Sequence, residues 1–109
     1  MSSNYAKYLK ERENLNIIED SNGFAVYELG EDYVYIQDIY VVENKRKSKI
    51  ASNYADQIAK IASSQGIKIM LGSVCLTTKG VTSSIKVLLA YGMEFSSAKE
   101  NMLYFKKSI

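Results

Sequence analysis

The chain contains no histidine. That removes the usual general base, the triads built on imidazole, and most transition-metal sites. Any proton chemistry must use carboxylate, Tyr, Lys, Cys, a backbone group or water. The single cysteine, Cys75, has no partner for an internal disulfide. No apolar run approaches the ~20 residues of a membrane span, so no membrane partner is expected. The opening "MSSNYAKYLKEREN" lacks the apolar stretch of a secretory signal. With one thiol and no such signal, a reducing cytoplasm is the expected compartment. Proline is absent too, so no proline interrupts the helical patterns.

What remains is an ordinary globular composition, 47% hydrophobic and 24% charged, over 109 residues. That length predicts a single domain, residues 1–109, with a modest core. The net charge of +2 is unevenly placed. Residues 1–43 carry nine acidic and three basic side chains, net −6, and residues 44–109 carry three acidic and eleven basic, net +8. Such asymmetry suits two faces with different partners, one cationic and one anionic, and it equally suits two solvated faces.

Apolar periodicity divides the chain into nine elements. "SNYAKYLKERE" (3–13) reads as a short helix, with Tyr5, Tyr8 and Leu9 on one face. "LNIIED" (15–20), "FAVYEL" (24–29) and "YVYIQDIYVV" (33–42) read as strands. They are joined by "SNG" and "GED", where Asn22-Gly23 favours positive φ, so an antiparallel meander is expected. The period then changes. Ile50, Ala51, Tyr54, Ala55, Ile58, Ala59 and Ala62 form a helical stripe over about 49–64, closed near Gly66. "IKIMLGSVCL" (67–76) is a continuous apolar run, as in a buried central strand. A helix over 83–92 ends at Gly92, and two strands follow around the turn "KEN". The order is α-β-β-β-α-β-α-β-β. Strand 33–42, helix and strand 67–76 form a crossover, so those strands are expected to run parallel. The fold class is α/β, an α+β mixed sheet flanked by helices.

Between strand 33–42 and the next helix lie Lys45, Arg46, Lys47 and Lys49. A strand feeding a short loop and a helix N-terminus is an anion site in waiting, because the first helical amides have no internal partners. Lysines there oppose the helix dipole unless an anion joins them. The glycines of a Walker loop and of a dinucleotide fingerprint are absent.

"YIQDIYVVENKRKSKIASNYADQIAKIA" (35–62) resembles the core motif of the GNAT superfamily of acyl-CoA-dependent N-acetyltransferases. That motif is an apolar strand ending in valine, a short loop, Arg/Gln-x-x-Gly-x-Gly/Ala, and an amphipathic helix. Val41 falls on the valine, Arg46 on the Arg/Gln position, Ile50 on the hydrophobic position and Ala51 on the final Gly/Ala. "SSIKVLLAYGMEF" resembles the family's second helix, with Gly92 on its closing glycine and Met93 in place of phenylalanine. The resemblance covers most of the chain but not the family's usual first strand and helix. Without them an open groove or an exposed sheet edge is expected, and a homodimer would cover it. The lysine-rich, arginine-poor composition and "LLAYG" resemble small GNAT-like proteins of bacteriophages.

The resemblance implies acetyl-CoA as cosubstrate. The backbone of Ile39, Tyr40 and Val41 would pair with its pantetheine arm. Arg46 and the amides of Lys47, Ser48, Lys49, Ile50 and Ala51 would hold its pyrophosphate, with lysine charge beside them. The acceptor would be an amine: a small molecule, a protein lysine or an N-terminus. Three positions depart from the motif. Lys49 replaces a glycine. Leu88 stands where many members carry the tyrosine that protonates the thiolate, leaving Tyr91 as a candidate acid. Gln37 replaces a carboxylate found in polyamine-acetylating relatives, leaving Asp38 as a candidate base, expected by alternation on the opposite face from Gln37. The readings that follow are an active N-acetyltransferase or a non-catalytic CoA- or protein-binding module of the same fold. Nucleic-acid binding through "KRKSK" is disfavoured by the modest charge and the lack of interleaved aromatics.

Overall fold

The computed structural model describes residues 3–109. Ser3 caps the first helix, its hydroxyl accepting from the Ala6 amide at 3.0 Å. Helix α1 (Asn4–Tyr8) runs on into a π-helical turn, Leu9–Glu13, which Asn14 ends in the left-handed region. Strands β1 (Asn16–Asp20), β2 (Gly23–Leu29) and β3 (Val34–Val41) form the expected antiparallel meander. After a single 3-10 turn at Glu43–Lys45 comes α2 (Ile50–Ser64), then β4 (Ile69–Cys75), α3 (Val81–Tyr91), β5 (Glu94–Lys99) and β6 (Met102–Ser108). The sheet order is β1-β2-β3-β4-β6-β5. Only β3 and β4 are parallel; every other neighbour is antiparallel. The element order and mixed sheet read from the sequence are those observed. Among the described residues, no helix is long and apolar enough to cross a membrane.

One detail of the turns differs from expectation. The β1–β2 connection is Ser21-Asn22, because Asp20 pairs with Gly23. The unusual backbone falls on Gly23, φ 154°, and Asn22 keeps a negative φ. A side chain at Gly23 would meet the Tyr40 carbonyl oxygen at 1.9 Å. Glycine is therefore required there by contact with β3 as well as by conformation.

The main core lies on one face of the sheet. Tyr54, Ala55, Ile58 and Ala62 of α2 bury there against Ala25, Tyr27, Val34, Ile36, Met70, Val74 and Phe105. Each large side chain removed from water stabilises the fold by roughly 1.5–3 kcal/mol. α3 covers the same face through Val81, Ile85, Leu88 and Tyr91, none fully buried. A smaller cluster of Leu9, Leu15 and Val26 seats α1 and its π turn on the opposite face, with Ile17 and Phe24 beside it.

Gly23→Ala is expected to lose about 3 kcal/mol or more of stability, since the methyl group meets backbone that cannot rotate away. Urea unfolding of the variant against the parent measures it, and near-parental stability would contradict the close approach.

Candidate functional site

The site begins where β3 and β4 part. Their parallel pairing extends only over Val34–Met70, Tyr35–Leu71 and Ile36–Gly72. Beyond that, β3 continues to Val41 paired only with β2, and β4 continues to Cys75 paired only with β6. The two central strands thus open into a wedge whose inner backbone edges lack ladder partners. A bulge sits at the same level. Tyr27 pairs with Ile36 and Val26 with Asp38, leaving Gln37 as an extra residue on β3. Bulges bend and twist the strand that carries them, so the added residue turns β3 away from β4 where pairing stops.

The bulge also corrects the expected alternation. Cross-strand partners share a face. Asp38, opposite Val26, therefore lies on the α1 face together with Tyr40, opposite Phe24. Ile39, opposite Ala25, lies on the core face with Ile36. Asp38 is exposed. On its face the hydroxyls of Tyr35 and Ser73 are hydrogen-bonded across the mouth of the wedge, joining β3 to β4.

At the wide end of the wedge stands the basic loop. Lys45, Arg46, Lys47, Ser48 and Lys49 are all exposed. Lys47 and Lys49 have φ of 66° and 64°, the left-handed region that favours glycine. Lys49 is the N-cap of α2 and offers no side-chain cap. The first intrahelical donor is Asn53, whose amide reaches the Lys49 carbonyl at 3.0 Å. The amides of Ile50, Ala51 and Ser52 therefore leave the helix N-terminus with no intrahelical acceptor. The loop holds itself with local bonds: Lys45 N to Val42 O at 2.9 Å, and the Ser48 hydroxyl to the Lys45 carbonyl. Arg46 folds back, its Nε donating to the Val41 carbonyl at 2.9 Å and its guanidinium 5.7 Å from the Tyr40 ring centroid. Sequence alone placed Arg46 toward the anion. The structure turns it to the end of β3 and occupies the Val41 carbonyl, leaving the lysines and helix amides facing outward.

The other candidates are placed as follows. Leu88 packs over Gly72, the last residue of β4 paired with β3; a Cβ there would be 3.7 Å from it and 3.5 Å from Met93. The place where the motif carries an acid is thus apolar. Tyr91 lies on the seam between α3 and α2. Its hydroxyl donates to Asp56 Oδ1 at 2.8 Å, and Lys107 Nζ sits 4.1 Å from its ring centroid and donates to its carbonyl. Burial first, then the Asp56 carboxylate, pushes its phenol well up. Its proton is committed to Asp56.

Sequence reasoning missed a set of contacts around the β1–β2 turn. Tyr54, 1% exposed and read only as part of the α2 stripe, sends its hydroxyl to Asp20 Oδ1 at 2.6 Å. The same oxygen accepts from the Asn22 amide at 2.8 Å. Burial and the Asp20 bond push the Tyr54 phenol up to about 12. The Tyr54 and Asn22 bonds hold the Asp20 carboxyl below its usual range. The Asn-Gly turn was the only signal in the sequence that this corner is specially shaped. Among the described residues, no group of His, Cys, Asp or Glu is placed to hold a metal.

No protein-family model matches the sequence, and no curated relative does. Solved structures match it closely in shape. A GNAT-family protein from Desulfovibrio desulfuricans aligns with a TM-score of 0.76 at 11% identity, over 94% of this chain and 74% of its own. The PaiA N-acetyltransferase of Thermoplasma acidophilum, solved with coenzyme A, aligns with a TM-score of 0.75 at 16% identity, over 93% and 66%. The anti-CRISPR protein AcrVA5 aligns at 0.68 and 18% identity, over 83% of this chain and 96% of its own. The chain has the GNAT acetyltransferase fold.

Two measurements check this geometry. Lys49→Gly is expected to raise stability by about 1 kcal/mol, because glycine adopts the left-handed cap without the Cβ clash. A denaturation midpoint that falls would contradict the strained cap. Asp20 is a carboxylate with a lowered folded pKa. Its stabilisation is present above the unfolded pKa of about 4 and is lost as pH falls through the folded value. The melting-temperature gap between the parent and Asp20→Asn should therefore narrow from pH 6 toward ~pH 3. A gap constant with pH would show that the charge is irrelevant.

Proposed function

We propose that the protein is an acyl-CoA-dependent N-acyltransferase that transfers an acetyl group from acetyl-CoA to an amine. The observation that carries this reading is one continuous arrangement. A wedge with unpaired strand edges runs straight into an uncapped helix N-terminus flanked by exposed lysines. The wedge offers backbone groups of Ile39 to an amide-bearing arm, while those of Tyr40, opposite Phe24, face β2. The amides of Ile50, Ala51 and Ser52, with Lys45, Lys47 and Lys49, suit a pyrophosphate. The fold shared with N-acetyltransferases, one of them solved with coenzyme A, supports the same assignment.

In the reaction an amine attacks the thioester carbonyl. The carbon–nitrogen bond forms, the carbon–sulfur bond breaks, and the sulfur leaves as thiolate while the nitrogen loses a proton. With no histidine, Asp38 is the candidate base, acting directly or through a water, and it also attracts the protonated amine before reaction. It lies on the face opposite α2 and α3, so the acceptor would approach from there. The acidic N-terminal part of the chain fits a cationic acceptor. α3 brings no acid to the wedge: Leu88 is apolar and Tyr91 is bound to Asp56. The thiolate would take its proton from solvent, and turnover would be slow.

That missing acid also favours a second reading, a CoA-binding module without turnover. Calorimetric titration with acetyl-CoA separates the possibilities. The parent should bind, and Lys49→Glu should weaken binding about tenfold or more by reversing charge beside the phosphates. Absence of heat with the parent would overturn CoA binding. Thiol release over an amine panel, lost in Asp38→Ala, supports the transferase; binding with no thiol release from any amine supports the module.

A further inference from the structure

The basic loop is exposed along its whole length, and the bonds within residues 43–49 are local. Something outside it must set the distance between its two ends. One end is Val42, leaving β3; the other is the first turn of α2. Both are tied to the β1–β2 turn. At the entry, the Val42 amide donates to the Asn22 carbonyl at 2.8 Å. At the exit, Tyr54, one turn into α2, donates to Asp20 Oδ1 at 2.6 Å. The Asn22 amide donates to that same oxygen at 2.8 Å. A single carboxylate oxygen thereby fixes the turn's own shape and the start of the helix together. Gly23 completes the seat, since its Cα lies against the Tyr40–Val41 backbone with no room for a side chain.

We propose that Asp20 is the positioning residue of the anion loop, clamping the end of β3 and the first turn of α2 at a fixed separation through the Ser21-Asn22 turn. This rests on the reading of residues 46–51 as the phosphate site, though the clamp can be tested apart from it. The ring of Tyr54 belongs to the core, where phenylalanine would fill nearly the same volume. Its hydroxyl is buried with the rest of the side chain, and it is met there by Asp20, which is exposed. A carboxylate in that position adds little to the core. Its effect is geometric: it holds the amides of Ile50, Ala51 and Ser52 at a set height above the end of the wedge. Preorganised donors bind a ligand more tightly than donors that must first be ordered.

The test uses the full chain without ligand and reads amide hydrogen exchange residue by residue. In Asp20→Ala, the hydrogen-bonded amides at the two ends of the loop, Val42 and Asn53, should exchange about fivefold faster or more, while those of β4 and of the last turns of α2 stay as in the parent. Acetyl-CoA affinity should fall about tenfold in the same variant. Asp20→Asn keeps an oxygen acceptor for Tyr54 and Asn22, so it should recover most of both effects. Tyr54→Phe should reproduce the loop acceleration; if it fails to fold, Asp20→Ala, altered at an exposed position, still decides. Glu19→Ala, beside it in sequence, should change neither readout. Unchanged loop exchange in Asp20→Ala would overturn the clamp, as would acceleration spread evenly over α2 and the core. Loop acceleration in a protein whose parent binds no acetyl-CoA would uphold the clamp and sink the phosphate reading alone.

Discussion

The structure depends on the parting of β3 from β4. Three residue pairs are enough to register the two strands in parallel, and after Ile36 and Gly72 they separate. Gln37 supplies the mechanical cause as the extra residue that bends β3. On its other edge β3 stays paired with β2 as far as Val41, so the bend costs only the β4 ladder. β4 is held from its far side by seven pairs with β6. Each strand is thus anchored on the edge that faces away from the wedge. The opening is flanked by continuous pairing on both sides.

Given that opening, the position of α2 follows. The chain leaves β3 at Val41, needs a short loop, and must return over the sheet to deliver β4 in parallel. α2 therefore starts at the wide end of the wedge, with its N-terminus toward it. Arg46 reinforces this by tying the loop back to the Val41 carbonyl, and the Asp20–Tyr54 bond does so from the neighbouring turn. The lysines then occupy strained ground. Left-handed backbone at Lys47 and Lys49 costs roughly 1–2 kcal/mol per residue relative to glycine, and their charge opposes the helix dipole. Both penalties are local, and the second is offset by bringing negative charge to the loop.

Much of the fold was legible in the sequence because its signals are periodic. The α2 stripe from Ile50 to Ala62, the apolar run of β4 and the closing Gly66 and Gly92 each have one structural reading. The basic loop was legible as the connection from strand to helix N-terminus because its place follows from those elements. What the sequence hid were departures from period and contacts between distant residues. A bulge changes which face Asp38 occupies, yet Gln37 has the composition of any strand residue. The Asp20–Tyr54 bond joins residues 34 apart, and Tyr54 fits the helical stripe so well that its hydroxyl went unread. Arg46 fell on the motif position, but its bond to the Val41 carbonyl carries no signal in the sequence.

Leu88 and Tyr91 bear on how much chemistry the site can supply. They are three residues apart on α3, so their directions differ by about 60° around the helix axis. Leu88 takes the direction that meets β4 at Gly72, and Tyr91 takes the one that meets α2 at Asp56. Moving the phenol into the wedge would require turning the helix, which would lift Leu88 off Gly72. The helix is instead fixed by its apolar face and by Lys107, which holds the Tyr91 carbonyl at 2.7 Å. Packing of α3 therefore keeps Tyr91 out of the wedge. A transferase on this scaffold would have to draw its rate from positioning the amine against the thioester. Positioning depends on how rigidly the loop holds the phosphates, and that rigidity leads back to the turn at Asp20.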